Sequence, residues 1–138
     1  MARSREHQTI ERFAERYRLV STEVTRRIEQ RVIGGDWGAN GFTTTDQADR
    51  LAAELALGPG SFLLDLGAGR GWPGLYLAAT TRCRVVLTDL PIEGLQVAAN
   101  RAAAEGLGDR AGAVRCNARS LPFRPGSFDA VVHTDVLC

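Results

Sequence analysis

An α/β fold with parallel strands and helices on both faces of the sheet is what this sequence predicts, on three observations. From residue 61 onward, short apolar runs alternate with stretches of helical periodicity. A glycine-rich turn, Gly67-Ala-Gly69-Arg-Gly71, divides the first apolar run from the first helical stretch. The residues before 61 carry helical signals alone. Strands that alternate with helices are joined by right-handed crossovers, and so they lie parallel.

Ile10, Phe13, Tyr17, Val20, Val24 and Ile28 recur at spacings of three and four. That pattern predicts one helix over residues 5–32, its apolar stripe turned inward and its Arg and Glu residues in water. Gly34 and Gly35 end it, since glycine accepts a left-handed cap. In the loop Asp36–Phe42, Trp37 and Phe42 either line an N-terminal lid or pack on the core, and packing is the reading favoured. Thr44-Thr-Asp-Gln47 has the form of a capping box. The helix that it opens directs Ala48, Leu51, Ala52 and Leu55 inward, and Gly58-Pro59-Gly60 stops it. Residues 1–60 thus form an N-terminal helical segment, a lid or a packing element beside the sheet.

Residues 61–138 form the sheet-bearing part. Ser61–Leu66 reads as a buried strand because it is a short apolar run before a tight turn. A helix follows over about 72–80, with Pro73 tolerated in its first turn. Arg84–Thr88 is the second strand, 92–105 an Ala-rich helix, Ala113–Cys116 the third strand and Phe128–His133 the fourth.

A chain of 138 residues suffices for one domain with a modest core. The net charge of +1 gives no broad pull toward nucleic acid or a membrane surface, and no aromatic–basic patch marks a nucleic-acid site. All 17 basic residues are Arg, which points to G/C-rich coding and a bacterial source. Cys83, Cys116 and Cys138 form no C-x-x-C pair, so free thiols and a reducing cytoplasm are expected, with no metal. The charged start lacks a signal-peptide core, and no apolar run reaches the ~20 residues that span a bilayer.

The chemistry gathers at strand ends. Asp65-Leu-Gly67-Ala-Gly69-Arg-Gly71 joins a strand to a helix. Its glycines let backbone approach a ligand, and the helix start offers free N–H groups to an anion. An acid at the strand end would favour a cationic group. S-adenosylmethionine suits both, with a carboxylate and an ammonium beside its sulfonium. Asp89 closes the second strand, where a carboxylate can accept both ribose hydroxyls of an adenosine. Leu90 and Pro91 would flank the adenine. Asn117-Ala118 follows the third strand, where an amide can read the adenine amino edge. His133 stands either as a general base toward a substrate or as a structural histidine.

Residues 65–71 resemble motif I of class I S-adenosylmethionine-dependent methyltransferases. Asp89 matches the family's acidic residue after its second strand. Asn117-Ala118 matches a position where the family commonly has Asp-Ala. Leu121-Pro-Phe123, Ser127-Phe-Asp-Ala130 and the run 128–137 are similar to its approach to and passage through the fourth strand. The resemblance covers residues 40–138. It implies a Rossmann-like domain that binds S-adenosylmethionine and moves its methyl group to an acceptor, expected to be a small molecule. It also implies a seven-stranded sheet, of which only four strands, in the order 3-2-1-4, can be found. The chain is therefore expected to be truncated after the fourth strand, poorly active alone, and able to form a homodimer through that strand's open edge.

Gly69-Arg-Gly71-Trp-Pro-Gly74 also fits the dinucleotide pattern G-x-G-x-x-G, the mark of a nicotinamide- or flavin-dependent oxidoreductase. In that register the charged Asp65 falls inside a strand, an awkward place. A non-catalytic S-adenosylmethionine-binding module is the other alternative.

Overall fold

The computed structural model describes residues 4–39 and 41–136. Cys138, one of the expected free thiols, and the charged start Met1-Ala-Arg3 lie outside the described residues, as does Leu137. The elements are α1 (Arg5–Arg18), α2 (Glu23–Val32), α3 (Thr45–Glu54), β1 (Phe62–Leu66), α4 (Gly74–Thr81), β2 (Arg84–Asp89), α5 (Ile92–Ala104), β3 (Ala111–Arg115) and β4 (Ala130–Val132).

The strands form one parallel sheet in the order β3-β2-β1-β4, the order that the resemblance implies. Its centre is β1, paired with β2 on one side and β4 on the other, so that Leu64 stands opposite both Val86 and Val131. Burial on both faces explains why β1 reads as a continuous apolar run rather than an alternating one. Leu63, Leu75, Leu77, Val85 and Leu87 are all at most 1% exposed and make the core between the sheet, α4 and α5.

The strands depart from expectation at their ends. β3 starts two residues earlier than predicted, and β4 is shorter. Phe128 lies outside β4 and packs instead between Phe62 and Phe123, with ring centroids 4.8 and 5.0 Å apart. Asp129 accepts the Phe62 N–H at 2.7 Å. The first residue of β1, Phe62, is thus held in an aromatic cluster with the residues that precede β4.

The helix expected over 5–32 is two helices. Leu19–Thr22 interrupts it, and Thr22 caps α2 by accepting the Thr25 N–H at 3.1 Å. At the other side of the break, α1 ends on exposed carbonyls that a helix cannot satisfy itself. Arg70, from the glycine-rich turn, reaches across to the carbonyls of Arg16, Tyr17 and Leu19, at 2.8 Å for Tyr17. The predicted stripe divides with the helix. Tyr17 is buried, whereas Val20, Val24 and Ile28 are 88%, 64% and 57% exposed.

The third helix is capped as predicted, Thr44 and Gln47 each accepting the other's backbone N–H. Ala48 is fully buried, and Leu51, Ala52 and Leu55 are half-buried. Trp37 packs edge-on against Tyr76 and beside Trp72, as expected. Phe42 does not pack and is largely exposed. Cys83 and Cys116 are free. Among the described residues, no helix is long and apolar enough to cross a membrane.

Candidate cofactor site

After β1 the chain turns sharply, and the Gly67 and Ala68 N–H groups both donate to Thr88 O, at 2.8 and 2.9 Å. These bonds tie the turn to the end of β2. Gly67 and Gly69 hold φ of 72° and 52°, which side-chain-bearing residues seldom adopt. A Cβ at Gly67 would meet Val136, and one at Gly69 would lie 3.0 Å from the Tyr17 hydroxyl. Gly71 serves differently. A Cβ there would stand 2.7 Å from Leu75 and 3.1 Å from Ala98, so its absence lets the turn settle on α4 and α5.

Asp89 links the two strand ends. Its Oδ2 accepts the Gly69 N–H at 2.8 Å and its Oδ1 the Leu90 N–H at 2.7 Å. The Tyr17 hydroxyl lies near the same carboxylate. Burial raises the carboxyl's pKa, and these donors oppose the rise. Around it opens a cleft of about 410 Å³. Its lining includes Asp89, Leu90, Pro91 and Gly67 from the strand ends, and Ile10, Phe13 and Tyr17 from α1. A second hollow, of only about 50 Å³, lies between Phe13, Tyr17, Gly67, Gly69, Trp72 and Asp135.

Not every candidate from the sequence faces this cleft. Asp65 lies inside β1 and is 0% exposed. Its Oδ2 accepts the Gly74 N–H at 2.9 Å, so it holds the start of α4 from beneath the turn. Its Oδ1 has no hydrogen-bond partner. Burial pushes its pKa up to about 8. From this position it supports the turn through the Gly74 N–H. Its place also removes one argument between the two glycine registers: the strand carries the charged residue whichever is chosen. Asn117 and Ala118 do not line the cleft. The Asn117 Oδ1 instead accepts the Arg119 N–H at 2.9 Å and closes its own turn. His133 is exposed and lines neither hollow.

The structure adds three residues that spacing did not single out. Tyr17 was legible only as part of a stripe. Arg70 occupies a variable position of the glycine motif, so nothing local marks it. Asp135 accepts the Phe42 and Thr43 N–H groups at 3.1 and 3.3 Å, which anchors the loop 41–43 beyond β4. Its partners are more than ninety positions away, out of reach of any sequence window.

A parallel sheet in this order, with a glycine turn after its central strand and a carboxylate after the next strand, is the Rossmann-like fold that class I S-adenosylmethionine-dependent methyltransferases share. Residues 63–138 match the family described as the methyltransferase domain, and the chain belongs to that family. It is 39% identical over 90 residues to 27-O-demethylrifamycin SV methyltransferase of Amycolatopsis mediterranei (strain S699), covering 64% of this chain and 32% of the relative. The chain spans about a third of the length of that relative. A methyltransferase from Thiobacillus denitrificans, in complex with S-adenosyl-L-homocysteine, superposes with a TM-score of 0.61 at 20% identity, over 83% of this chain and 44% of that one. The cyclase SpnF superposes with a TM-score of 0.55 at 29% identity, over 76% and 43%.

Proposed function

We propose that the protein is an S-adenosylmethionine-dependent methyltransferase acting on a small-molecule acceptor, with residues 61–138 holding the cofactor and residues 1–60 covering it. The carrying observation is the junction of Asp89 with Gly69, where the ends of β1 and β2 open together into the cleft. The residues present fit an adenosine. Asp89 would accept ribose hydroxyls, Leu90 and Pro91 would flank the adenine, and Gly67 and Gly69 give backbone access that a Cβ would fill. When bound, the cofactor supplies an electrophilic methyl group on a sulfonium. The chain's own part is to hold, orient and exclude water, and such transfer needs positioning more than a dedicated base. The exposed His133 is not needed in this reading. The names of relatives such as the rifamycin methyltransferase support a small-molecule acceptor.

Calorimetric titration with S-adenosylhomocysteine tests the reading. Asp89→Ala and Gly69→Val are each expected to weaken binding at least about tenfold, the cost of roughly one lost charged hydrogen bond. Unchanged affinity in both would end it. NADH should give no thermal shift, which separates this reading from the oxidoreductase. The outer edge of β4 faces no other strand among the described residues, and pairing of two copies there belongs to the same reading. Light scattering over a concentration series checks it.

A further inference from the structure

Phe13, Tyr17, Gly67 and Asp135 wall both the cleft beside Asp89 and the smaller hollow over the glycine turn, so they mark where the two spaces adjoin. Of these four, only Asp135 is an ionisable acid with a full charge to offer a cation. A Cβ at Gly67 would meet the Val136 side chain at 2.7 Å, so the segment after β4 lies directly against the turn. Each space also has an arginine, Arg12 in the cleft and Arg70 in the hollow, but neither walls both. Arg70 is turned to the carbonyls of α1.

The Asp135 carboxylate is held in place by the N-terminal segment. Its Oδ2 accepts the Phe42 and Thr43 N–H groups and, at 2.9 Å, the Thr43 hydroxyl. Gly41 packs so closely that a Cβ there would collide with the carboxylate. Trp72, just past the turn, donates its Nε1–H to the Thr43 carbonyl at 3.0 Å and fastens the same loop from the other side. Asp135 is exposed, so water screens its charge until a ligand covers it. Tied in this way it does not swing away when a ligand arrives, and a charge fixed in advance acts without reorganisation.

An S-adenosyl ligand carries its sulfur between the adenosine and the amino-acid arm. With the adenosine at Asp89, Leu90 and Pro91 and the arm over Gly67 and Gly69, the sulfur comes to the junction of the two spaces. A sulfonium is positive and has no N–H or O–H to donate. It is recognised by opposite charge and by aromatic faces rather than by hydrogen bonds. The junction offers both, a fixed carboxylate and the rings of Phe13 and Tyr17, whose centroids are 6.0 Å apart.

We infer that Asp135 is a charge-selecting residue of the cofactor site: held at the junction by the loop 41–43, its carboxylate favours the sulfonium of S-adenosylmethionine over the neutral sulfur of S-adenosylhomocysteine. The inference rests on the adenosine reading of Asp89 and adds to it what tells fresh cofactor from spent. Methyl transfer breaks the S–CH3 bond and leaves its electron pair on sulfur, so the attraction ends with the reaction.

The test is calorimetric titration of the 138-residue chain with each ligand, as wild type, Asp135→Asn and Asp89→Asn, read as the ratio of the two affinities. Asp135→Asn keeps an oxygen for the Phe42 and Thr43 donors and removes the charge. It is expected to weaken S-adenosylmethionine about fivefold relative to S-adenosylhomocysteine, the upper end for a charge pair that water partly screens. Asp89→Asn is expected to weaken both. Equal losses in Asp135→Asn, no loss, or a larger loss for S-adenosylhomocysteine overturns charge selection, while the adenosine reading stands on Asp89→Asn. If Asp89→Asn binds both ligands as the wild type does, or the wild type binds neither, the adenosine reading has failed and the inference with it. A salt series on the wild type needs no variant. Raising NaCl from about 0.05 to about 0.5 M is expected to lower the preference for S-adenosylmethionine, because salt screens exposed charges. A ratio that stays level overturns the inference.

Discussion

The sheet and the second helix of this chain were built from the same kind of signal and came to opposite ends. Around β1 the core is tightly closed: Leu63 of the strand and Leu75 and Leu77 of α4 are 0% exposed. Along α2 the apolar stripe is as regular, yet the helix has no buried residue. Hydrophobic periodicity reports that a face is apolar; it does not report what lies against it. A run bounded by a glycine turn and a crossover helix specifies its own cover, because the crossover must fold back onto the sheet. A stripe on an N-terminal helix specifies none. The difference teaches where the fold's free energy is held, and two substitutions and a pH series press on it.

The largest effect belongs to the core. Leu75→Ala removes a fully buried side chain that also packs under Gly71. A loss of about 2–5 kcal/mol is expected from the transfer and cavity terms together, read by urea denaturation. A loss below about 1 kcal/mol would mean that the packing around α4 is slack and that the contrast with α2 is false.

The same contrast explains what could be read from the sequence. The glycine turn and the carboxylate after β2 were legible because each depends on residues close together in the chain; the strand order, which pairs β1 with the distant β4, came only through the family resemblance. The break at Leu19–Thr22 was not, although Thr22 is a fair capping residue, because the spacing of Tyr17, Val20 and Val24 carries through it. What ends α1 is Arg70, more than fifty positions away from its carbonyl partners at 16 and 17. Asp65 lies in β1 where the motif puts it, and its depth beneath the turn is what the motif does not give. A motif gives the position of an acid but not which side of the turn its side chain takes. Asn117 stands after β3 as the spacing predicts, with its Oδ1 accepting the Arg119 N–H of its own turn.

Asp65 provides the second test, by pH. Its carboxyl sits in the most buried part of the molecule, with a pKa raised to about 8 by burial. The folded chain therefore keeps this proton to higher pH than the unfolded chain, whose value is the ordinary one for Asp. In the window between those two values the fold binds more protons, so its stability falls as pH rises. Asp89 is shifted in the same direction and adds to the slope. Asp65→Asn keeps an acceptor for the Gly74 N–H and has no proton to lose. Its melting temperature is expected to vary less from pH 5 to pH 9 and to exceed that of the wild type at the upper end. Parallel melting curves at all pH values would show that Asp65 does not carry the dependence.

The smallest effect is expected at Ile28, and it bears on the other half of the comparison. Ile28 lies on α2, 57% exposed, in line with Val24 and Val32 at 64% and 56%. Isoleucine and serine have similar helix propensities, so Ile28→Ser leaves the helix's intrinsic preference nearly alone and tests burial. Complete burial of such a side chain is worth about 1.5–3 kcal/mol. An exposed one contributes little, and its replacement is expected to change stability by no more than about 0.5 kcal/mol. The measurement is denaturant unfolding at several protein concentrations. A loss of about 2 kcal/mol or more at all concentrations would show that the chain itself covers this face and that α2 belongs to the core. A loss that grows with concentration would show that another copy covers it. Only a small loss, the same at every concentration, leaves α2 as an apolar helix that the folded sheet does not require.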